Sequence, residues 1–432
     1  MAFLFLKTII LSTVALFCTG SHQFDKDRFI KADPLRCAGN AFHYEAIDTT
    51  VTRPPCGYKP FYISHISRHG SRTTCNESDF RHVDSLRLYA SRGMLAPGGD
   101  SLLVVLDAIR KANAEAGFGN LTDRGAWEHR EIARRMGTYY PEVFPDGGKV
   151  VCYSTDVGRV LNSMDNFKSS LEAIHPSLEF SVRLSSDDSH SRYEVKSAHL
   201  SHEMKEEAQT EEEKRISRAI LSSCDFSSLT SRVFKDGKAP KRYKGREASF
   251  FYSLYRLGVT RQAFLNPPEG SVESFFTPEQ LYAFSNRCDV SQIFQWGYCT
   301  ENKGHKTRSA ARIIRCIIED ADAAIAGNGE NATLRFTHDT YLLPVMIIMG
   351  LPGADYLGPL EESWRHNSMS YTIHMAANVQ LVFYRNKRGK VIVKVLLNEI
   401  ETVIPGLAPD YKGLYYKWDT LKDWLETRLQ TI

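Results

Sequence analysis

Phe61-Tyr62-Ile63-Ser64-His65-Ile66-Ser67-Arg68-His69-Gly70-Ser71-Arg72 is the stretch on which the reading of the fold turns. Its apolar first half has the length and bulk of a buried strand, and the charged residues and glycine that close it mark where such a strand ends. Two guanidiniums, Arg68 and Arg72, stand there around the imidazole of His69. A guanidinium offers a rigid fork of donors that matches phosphate oxygens in pairs, and a neutral imidazole keeps one nitrogen lone pair able to attack phosphorus. Gly70 lets the backbone turn sharply and come close to an anion. The segment therefore reads as a phosphoryl site. A short string of this kind also arises by chance on surface loops, so its neighbours decide.

Downstream segments repeat the same grammar. After the strand-like residues 149–153, Thr155 is expected to N-cap a helix in which Val157, Val160, Leu161, Met164, Phe167, Leu171 and Ile174 recur at helical spacing up to Pro176. Arg159 then falls in the first turns, where free backbone N–H groups and the positive end of the dipole favour an anion; the plainer reading is a surface arginine in an ion pair. Residues 333–337 alternate like a strand, and Asp339 is expected to cap the apolar helix of residues 341–349 that Gly350 ends. His338 and Asp339 thus occupy a second strand-to-helix crest. In a doubly wound sheet such crests gather at the carboxyl edge of the strands, which is how His69 and His338 can meet. For Asp339, capping alone is the simpler role, and one carboxylate can do both.

With 432 residues and 42% apolar content, the chain is long enough for one large core and a second region. Its formal charge of +3 gives no nucleic-acid footprint and no polybasic membrane patch, so local positive potential must come from a few clustered arginines. Strand-like and helical segments alternate from about residue 58 to 180, with amphipathic helices over 101–116 and 122–140. Residues 182–300 turn charged and aromatic, with 205–218 reading as a solvated helix. Alternation resumes near 330, and 372–385 with 390–400 form a hairpin pattern across Asn386-Lys387-Arg388-Gly389. The expected fold is α/β: a mostly parallel, doubly wound sheet flanked by helices, its core from residues 22–181 and 301–432. Residues 182–300 are expected as an inserted, mainly helical lid.

Lys7, the apolar run 8–17 and the small residues Thr19, Gly20 and Ser21 read as a signal peptide over residues 1–21, pointing to a secreted or periplasmic protein. It is too short for a conventional bilayer span, and no membrane span is expected elsewhere. Lipoprotein anchoring at Cys18 ranks lower, because bulky Phe17 sits where a small residue is wanted. Removing the signal leaves eight cysteines, an even number that fits disulfides in an oxidising compartment, with Cys288–Cys299 and Cys37–Cys56 as local candidates; buried free thiols are the alternative. Asn76, Asn120 and Asn331 begin glycosylation sequons at about the frequency chance provides. His190, His199 and His202 with Glu194 and Glu203 have the composition of a metal cluster, although such spacing more often marks a solvated helical face.

The pentapeptide from Arg68 to Arg72 resembles the Arg-His-Gly-x-Arg signature of the histidine acid phosphatases. Leu121-Thr122-Asp123-Arg124-Gly125 resembles that family's Leu-Thr-x-x-Gly helix start, Ser154 to Arg159 its Ser-Thr-x-x-x-Arg segment, and Thr337-His338-Asp339 its C-terminal His-Asp pair, all in the family's order. The resemblance implies a metal-free phosphomonoesterase that needs no cofactor and acts on small-molecule phosphomonoesters. His69 would be the nucleophile, Asp339 the proton donor, and Arg68, Arg72, Arg159 and His338 the phosphate ligands. Multiple inositol polyphosphate phosphatases usually carry His-Ala-Glu where this chain has His338-Asp339-Thr340, whereas acid phosphatases and many bacterial phytases carry His-Asp. Against that, Leu343-Pro344, Met349-Gly350 and residues 375–380 resemble secreted bacterial members grouped with the inositol polyphosphate enzymes. Inositol polyphosphates such as phytate are thus the leading substrate class, with a broad-specificity acid phosphatase as the alternative. A phytate pocket needs cations beyond the clamp; Arg192, Lys196, Lys205 and Lys241 are candidates that equally suit the surface. A phosphoglycerate-mutase-like phosphotransferase and a non-catalytic phosphate or inositide binder are the further rivals, the latter weakened because nucleophile and donor are both present.

Overall fold

Tyr58–Arg68 forms β1, an eleven-residue strand at the centre of an eight-stranded sheet. The computed structural model describes residues 24–45, 51–196, 211–411 and 413–432. The signal segment 1–21, Cys18, His199, His202, Glu203 and Lys205 lie outside the described residues.

Parallel to β1 runs β4 (Ala332–Thr337), then β2 (Lys149–Ser154), then β3 (Glu179–Leu184) at the edge. On its other side β1 pairs antiparallel with β5 (Asn378–Asn386), followed by β6 (Val391–Leu397) and β7 (Ile400–Glu401), while β8 (Tyr415–Lys417) also adds to β6. β5 and β6 are the hairpin expected from the sequence, but its first arm begins at Asn378, because Met369–Thr372 forms a helical turn instead. In the parallel half, Arg68 lies opposite Thr337 and Ser154 opposite Phe336. Three strands therefore end level, and the next residue of each, His69, His338 and Thr155, emerges at one edge.

Alternation along β1 supplies two cores. Ile63 faces the helices Asp123–Tyr139 and Gly158–Ile174 with Met136, Phe167, Leu334 and Phe336. Tyr62 and Ile66 face the opposite layer, the helices Ala311–Ala326, Asp339–Met349 and Trp418–Thr431. β3 continues to Leu184, and the helix Ser189–Val195 packs back on the sheet, where Thr337 Oγ1 donates to the Val195 carbonyl and Glu194 accepts from buried Arg335 at 2.8 Å.

A third apolar cluster is purely helical. Val83, Leu86, Leu102 and Leu106, from Arg81–Ser91 and Pro97–Ala116, pack with Leu229, Val233, Phe250, Phe251 and Phe284, from Ser227–Val233, Glu247–Gly258 and Pro278–Trp296. The helix read at 101–116 thus belongs to the helical body rather than to a layer on the sheet. Gly99 allows it: a Cβ there would lie 2.2 Å from the Val233 carbonyl oxygen.

All eight described cysteines are free thiols, which corrects the two pairings drawn from the sequence. Cys288 lies within the Pro278–Trp296 helix beside Gly39, whereas Cys299 follows that helix and is tied through Asn302 to the carbonyls of Ile293, Phe294 and Gly297. Cys37 is buried within the Pro34–Ala41 segment, whereas Cys56 is exposed just before β1.

Buried His65 and His129 pack against Phe167 and Phe336, and burial drives both imidazoles down to about 3. Free imidazole protonates near 6.5, so in acid the unfolded chain binds protons that the folded chain refuses. The associated stability is full above about pH 6.5 and is lost as pH falls toward 3, with a limiting slope of about 1.4 kcal/mol per pH unit for each histidine. Melting temperature is expected to drop steadily from pH 6.5 to 4 and to drop less steeply in His129→Leu; an unchanged slope in that variant would contradict the assignment.

Candidate active site

At the shared edge the structure brings together all six residues singled out in the sequence. The buried Arg68 guanidinium donates from Nη1 to the carbonyls of Asn40 (2.5 Å) and Ile373 (2.7 Å) and from Nη2 to Asp339 Oδ2 at 2.9 Å. Arg72 is steered by one bond, Nη1 to the Thr73 carbonyl at 2.7 Å. Arg159 Nη2 lies 3.5 Å from His338 Nδ1, and the rings of His69 and His338 stand 5.5 Å apart, edge to face. The Nε groups of Arg68, Arg72 and Arg159 are all buried and meet no protein acceptor. Buried donors without partners are costly, and all three arginines act on His69 by their charge, so together they suit an anion held beside that ring.

Two caps expected from the sequence differ in detail. The helix carrying Arg159 begins at Gly158 with Val157 as its cap residue, and Thr155 Oγ1 instead lies 3.2 Å from His338 Nε2. Asp339 is the first residue of its helix rather than the cap, which is His338. Its Oδ1 accepts from the Thr340 N–H at 3.0 Å, leaving Oδ2 for Arg68 and for Asn40 Nδ2, the latter at 2.9 Å. Both carboxylate oxygens are therefore held.

Electrostatics separates the roles. Burial, then Arg68 and Arg72, push His69 well below its ordinary value. Its Nδ1 lies 2.9 Å from the Gly70 carbonyl, an acceptor only, so Nδ1 carries the proton and Nε2 keeps the lone pair. Burial and then Arg159 bring His338 down to about 4. Burial alone would raise Asp339, but Arg68, the Asn40 hydrogen bond and Arg72 outweigh it and hold the carboxyl below its usual value. Burial lowers Arg68 to about 10, still a cation throughout the acid range.

Glu128 holds the loop that presents His69. This buried carboxylate accepts from Ser71 N (2.7 Å), Ser71 Oγ (2.7 Å) and Tyr44 N (3.1 Å). Ser163 Oγ accepts from Gly70 N at 3.1 Å, and Thr122 Oγ1 donates to the Ser71 carbonyl at 3.0 Å. Gly70 and Gly125 let two backbones touch: a Cβ on Gly70 would lie 2.4 Å from the Gly125 oxygen, and one on Gly125 would lie 2.2 Å from the Ser71 oxygen. Neither Glu128 nor Asn40 is foreseen in the sequence, since Glu128 sits in an amphipathic helix rich in surface charge and Asn40 in an aperiodic segment.

In front of the clamp opens a cleft of ≈ 430 Å³, lined in part by Arg68, Arg72, Arg81, His82, Arg256 and Arg287. Of the cations proposed from the sequence for this purpose, the described ones, Arg192, Lys196 and Lys241, are not among its lining residues. Lys196 pairs instead with Asp156 at 3.2 Å. Of the residues read as a metal cluster, His190 and Glu194 do approach each other at 3.0 Å, with Cys316 beside them. Arg335 occupies the other Glu194 oxygen and Arg312 donates to His190 Nδ1 at 3.3 Å, so the two residues sit within a network of charged groups.

Residues 62–226 match the model of the histidine phosphatase superfamily (branch 2). That stretch of the chain is similar to this superfamily. The match begins in β1 and contains Arg68, His69, Arg72, Glu128 and Arg159, while His338 and Asp339 are joined to them by the fold. No curated protein sequence matches the chain. The Bifidobacterium longum multiple inositol polyphosphate phosphatase, solved in complex with inositol hexasulfate, shares the fold with a TM-score of 0.73 at 19% identity, over 90% of this chain and 97% of that one. The D. castellii phytase is similar at a TM-score of 0.63 and 14% identity, over 92% and 85%. The chain therefore shares the fold of these two enzymes over nearly its whole described length.

Glu128 offers acceptors on both oxygens, and a glutamine amide would turn one donor against another. Glu128→Gln is expected to cost roughly 2 kcal/mol of stability and to lower turnover at least about tenfold. Urea unfolding and phosphate-release kinetics check both, and a variant equal to the parent in both would refute this role for Glu128.

Proposed function

We propose that the protein is a secreted acid phosphomonoesterase that works through a phosphohistidine on His69 and acts on inositol polyphosphates such as phytate. The observation that carries this reading is a buried, neutral imidazole with its Nε2 lone pair free, ringed by three arginines whose Nε donors meet no protein partner.

In the first step Nε2 of His69 attacks phosphorus in line, the Nε2–P bond forms, and the ester P–O bond breaks. Arg68, Arg72, Arg159 and His338 hold the non-bridging oxygens and stabilise the charge that develops on them. Asp339, protonated, gives its proton to the departing alkoxide. In the second step a water attacks phosphorus, the P–N bond breaks, and the Asp339 carboxylate takes the water's proton. Phosphate leaves with His69 neutral again. Because arginines and Asn40 favour the charged carboxylate, Asp339 carries its proton mainly in acid, while burial keeps His69 unprotonated there. An acidic optimum follows.

A polyphosphate substrate is supported by the guanidiniums beyond the clamp, Arg81, Arg256 and Arg287, on the wall of the cleft. Secretion is supported by the character of residues 1–21, and among the described residues no helix is long and apolar enough to cross a membrane.

The test is inorganic phosphate release at acid pH by the mature protein, whose N-terminus is expected near residue 22, comparing phytate with an aryl phosphate. Faster turnover of phytate, a decline toward neutral pH, and a loss of at least about a thousandfold in His69→Ala are expected. Preference for the aryl ester would indicate a broad-specificity acid phosphatase; release from neither would favour a non-catalytic phosphate or inositide binder.

A further inference from the structure

The geometry points to Asn40 and Arg256 as a positioning pair: Arg256, from the helical body, orients the Asn40 amide so that it fixes the Asp339 carboxylate in place and favours its ionised form. The inference rests on the reading of Asp339 as proton donor.

Asn40 closes the Pro34–Ala41 segment and is the meeting point of three elements. Its backbone carbonyl accepts from Arg68 Nη1, its Nδ2 donates to Asp339 Oδ2 at 2.9 Å, and its Oδ1 accepts from Arg256 Nη2 at 2.8 Å. The amide's orientation is forced by chemistry. Arg256 has donors only and an ionised Asp339 has acceptors only, so the oxygen must face the arginine and the nitrogen the carboxylate. The other arm of Arg256, Nη1, grips the Ala38 carbonyl at 2.6 Å, so one guanidinium spans the turn that carries Asn40. That turn is set by Gly39, at φ 60°, where a Cβ would lie 2.6 Å from Cys288 Sγ of the Pro278–Trp296 helix. Two helices of the helical body therefore decide where Asn40 points.

The charged and titratable groups facing Asp339 are Arg68 from β1, Arg72 from the loop after it, Arg159 from the Gly158–Ile174 helix, His338 beside it, and Arg256, which acts both by its charge and through Asn40. Arg68 and Asn40 share the same oxygen, Oδ2. Asn40 is the neutral member, so removing it leaves the formal charge around the carboxylate unchanged. A donor that stabilises the carboxylate lowers its acid constant, and its loss raises it. In the proposed reaction the rate falls on the alkaline side as the donor loses its proton, so that limb must move to higher pH.

Asn40→Ala is expected to lower kcat about three- to tenfold at the optimum and to shift the alkaline limb of the pH–rate profile upward by roughly half a unit to one unit. Asn40→Asp keeps the size but sets a second carboxylate beside Asp339; the two must share a proton, and the limb is expected to move further in the same direction. Arg256→Gln should shift the limb as Asn40→Ala does, with partial return in Arg256→Lys. A merely structural role would lower activity without moving the profile. Active variants with the parental pH profile would overturn the inference while leaving the phosphatase reading intact. A parent that releases no phosphate would refute that reading, and the pair would still be tested by titrating Asp339 through ¹³Cγ-aspartate NMR, with Asp339→Asn identifying the signal. An Asp339 midpoint unmoved by Asn40→Ala would sink it there too.

Discussion

Gathering three guanidiniums, Arg68 buried and Arg72 and Arg159 half-buried, around one buried imidazole is the constraint on which the site depends. Arg68 has one carboxylate partner, Asp339 at 2.9 Å, and Arg72 and Arg159 bring further positive charge to the same small space. Like charges in a partly desolvated setting repel, and water relieves them only in part. The fold supplies the restraint. Three parallel strands end level, Glu128 locks the loop after β1 through Ser71, and the contact of Gly70 with Gly125 removes room for that loop to relax. The result is a set of donors aimed in advance at where a phosphoryl group gathers charge.

The same crowding explains how two titratable groups share one acid reaction. Burial and the arginines work in the same direction on His69 and keep it a free base. On Asp339 they oppose each other, and the arginines with Asn40 prevail. One environment thus preserves a nucleophile in acid and tunes a donor to work there, an acid–base division made by surroundings rather than by residue type. Acidity has a structural cost elsewhere, since His65 and His129 must stay neutral beneath the sheet.

Much of this is legible in the sequence because strands and crests carry local signals. The apolar run before Arg68, the alternation before His338 and the helical spacing after Arg159 place three crests, and a parallel sheet collects them. What escapes has no local signal. Glu128 looks like one more charge on an amphipathic helix, and its burial comes from the approach of Ser71, 57 residues away in the chain. Asn40 meets Asp339 across 299 residues. The extent of the helical body is also hidden: the helix Pro97–Ala116 has the period of a sheet-flanking helix, and only its partners Val233 and Phe250 reveal where its apolar face goes. Thr155 shows the same ambiguity in miniature, as a good cap residue by type that bonds a histidine instead.

Covalent capture is the most direct test of the central claim. With radiolabelled substrate turned over at acid pH and quenched in alkali, which preserves phosphohistidine, the label is expected on the peptide containing His69 and absent from His69→Ala. Steady turnover with no label on that peptide, or label on another residue, would contradict the account.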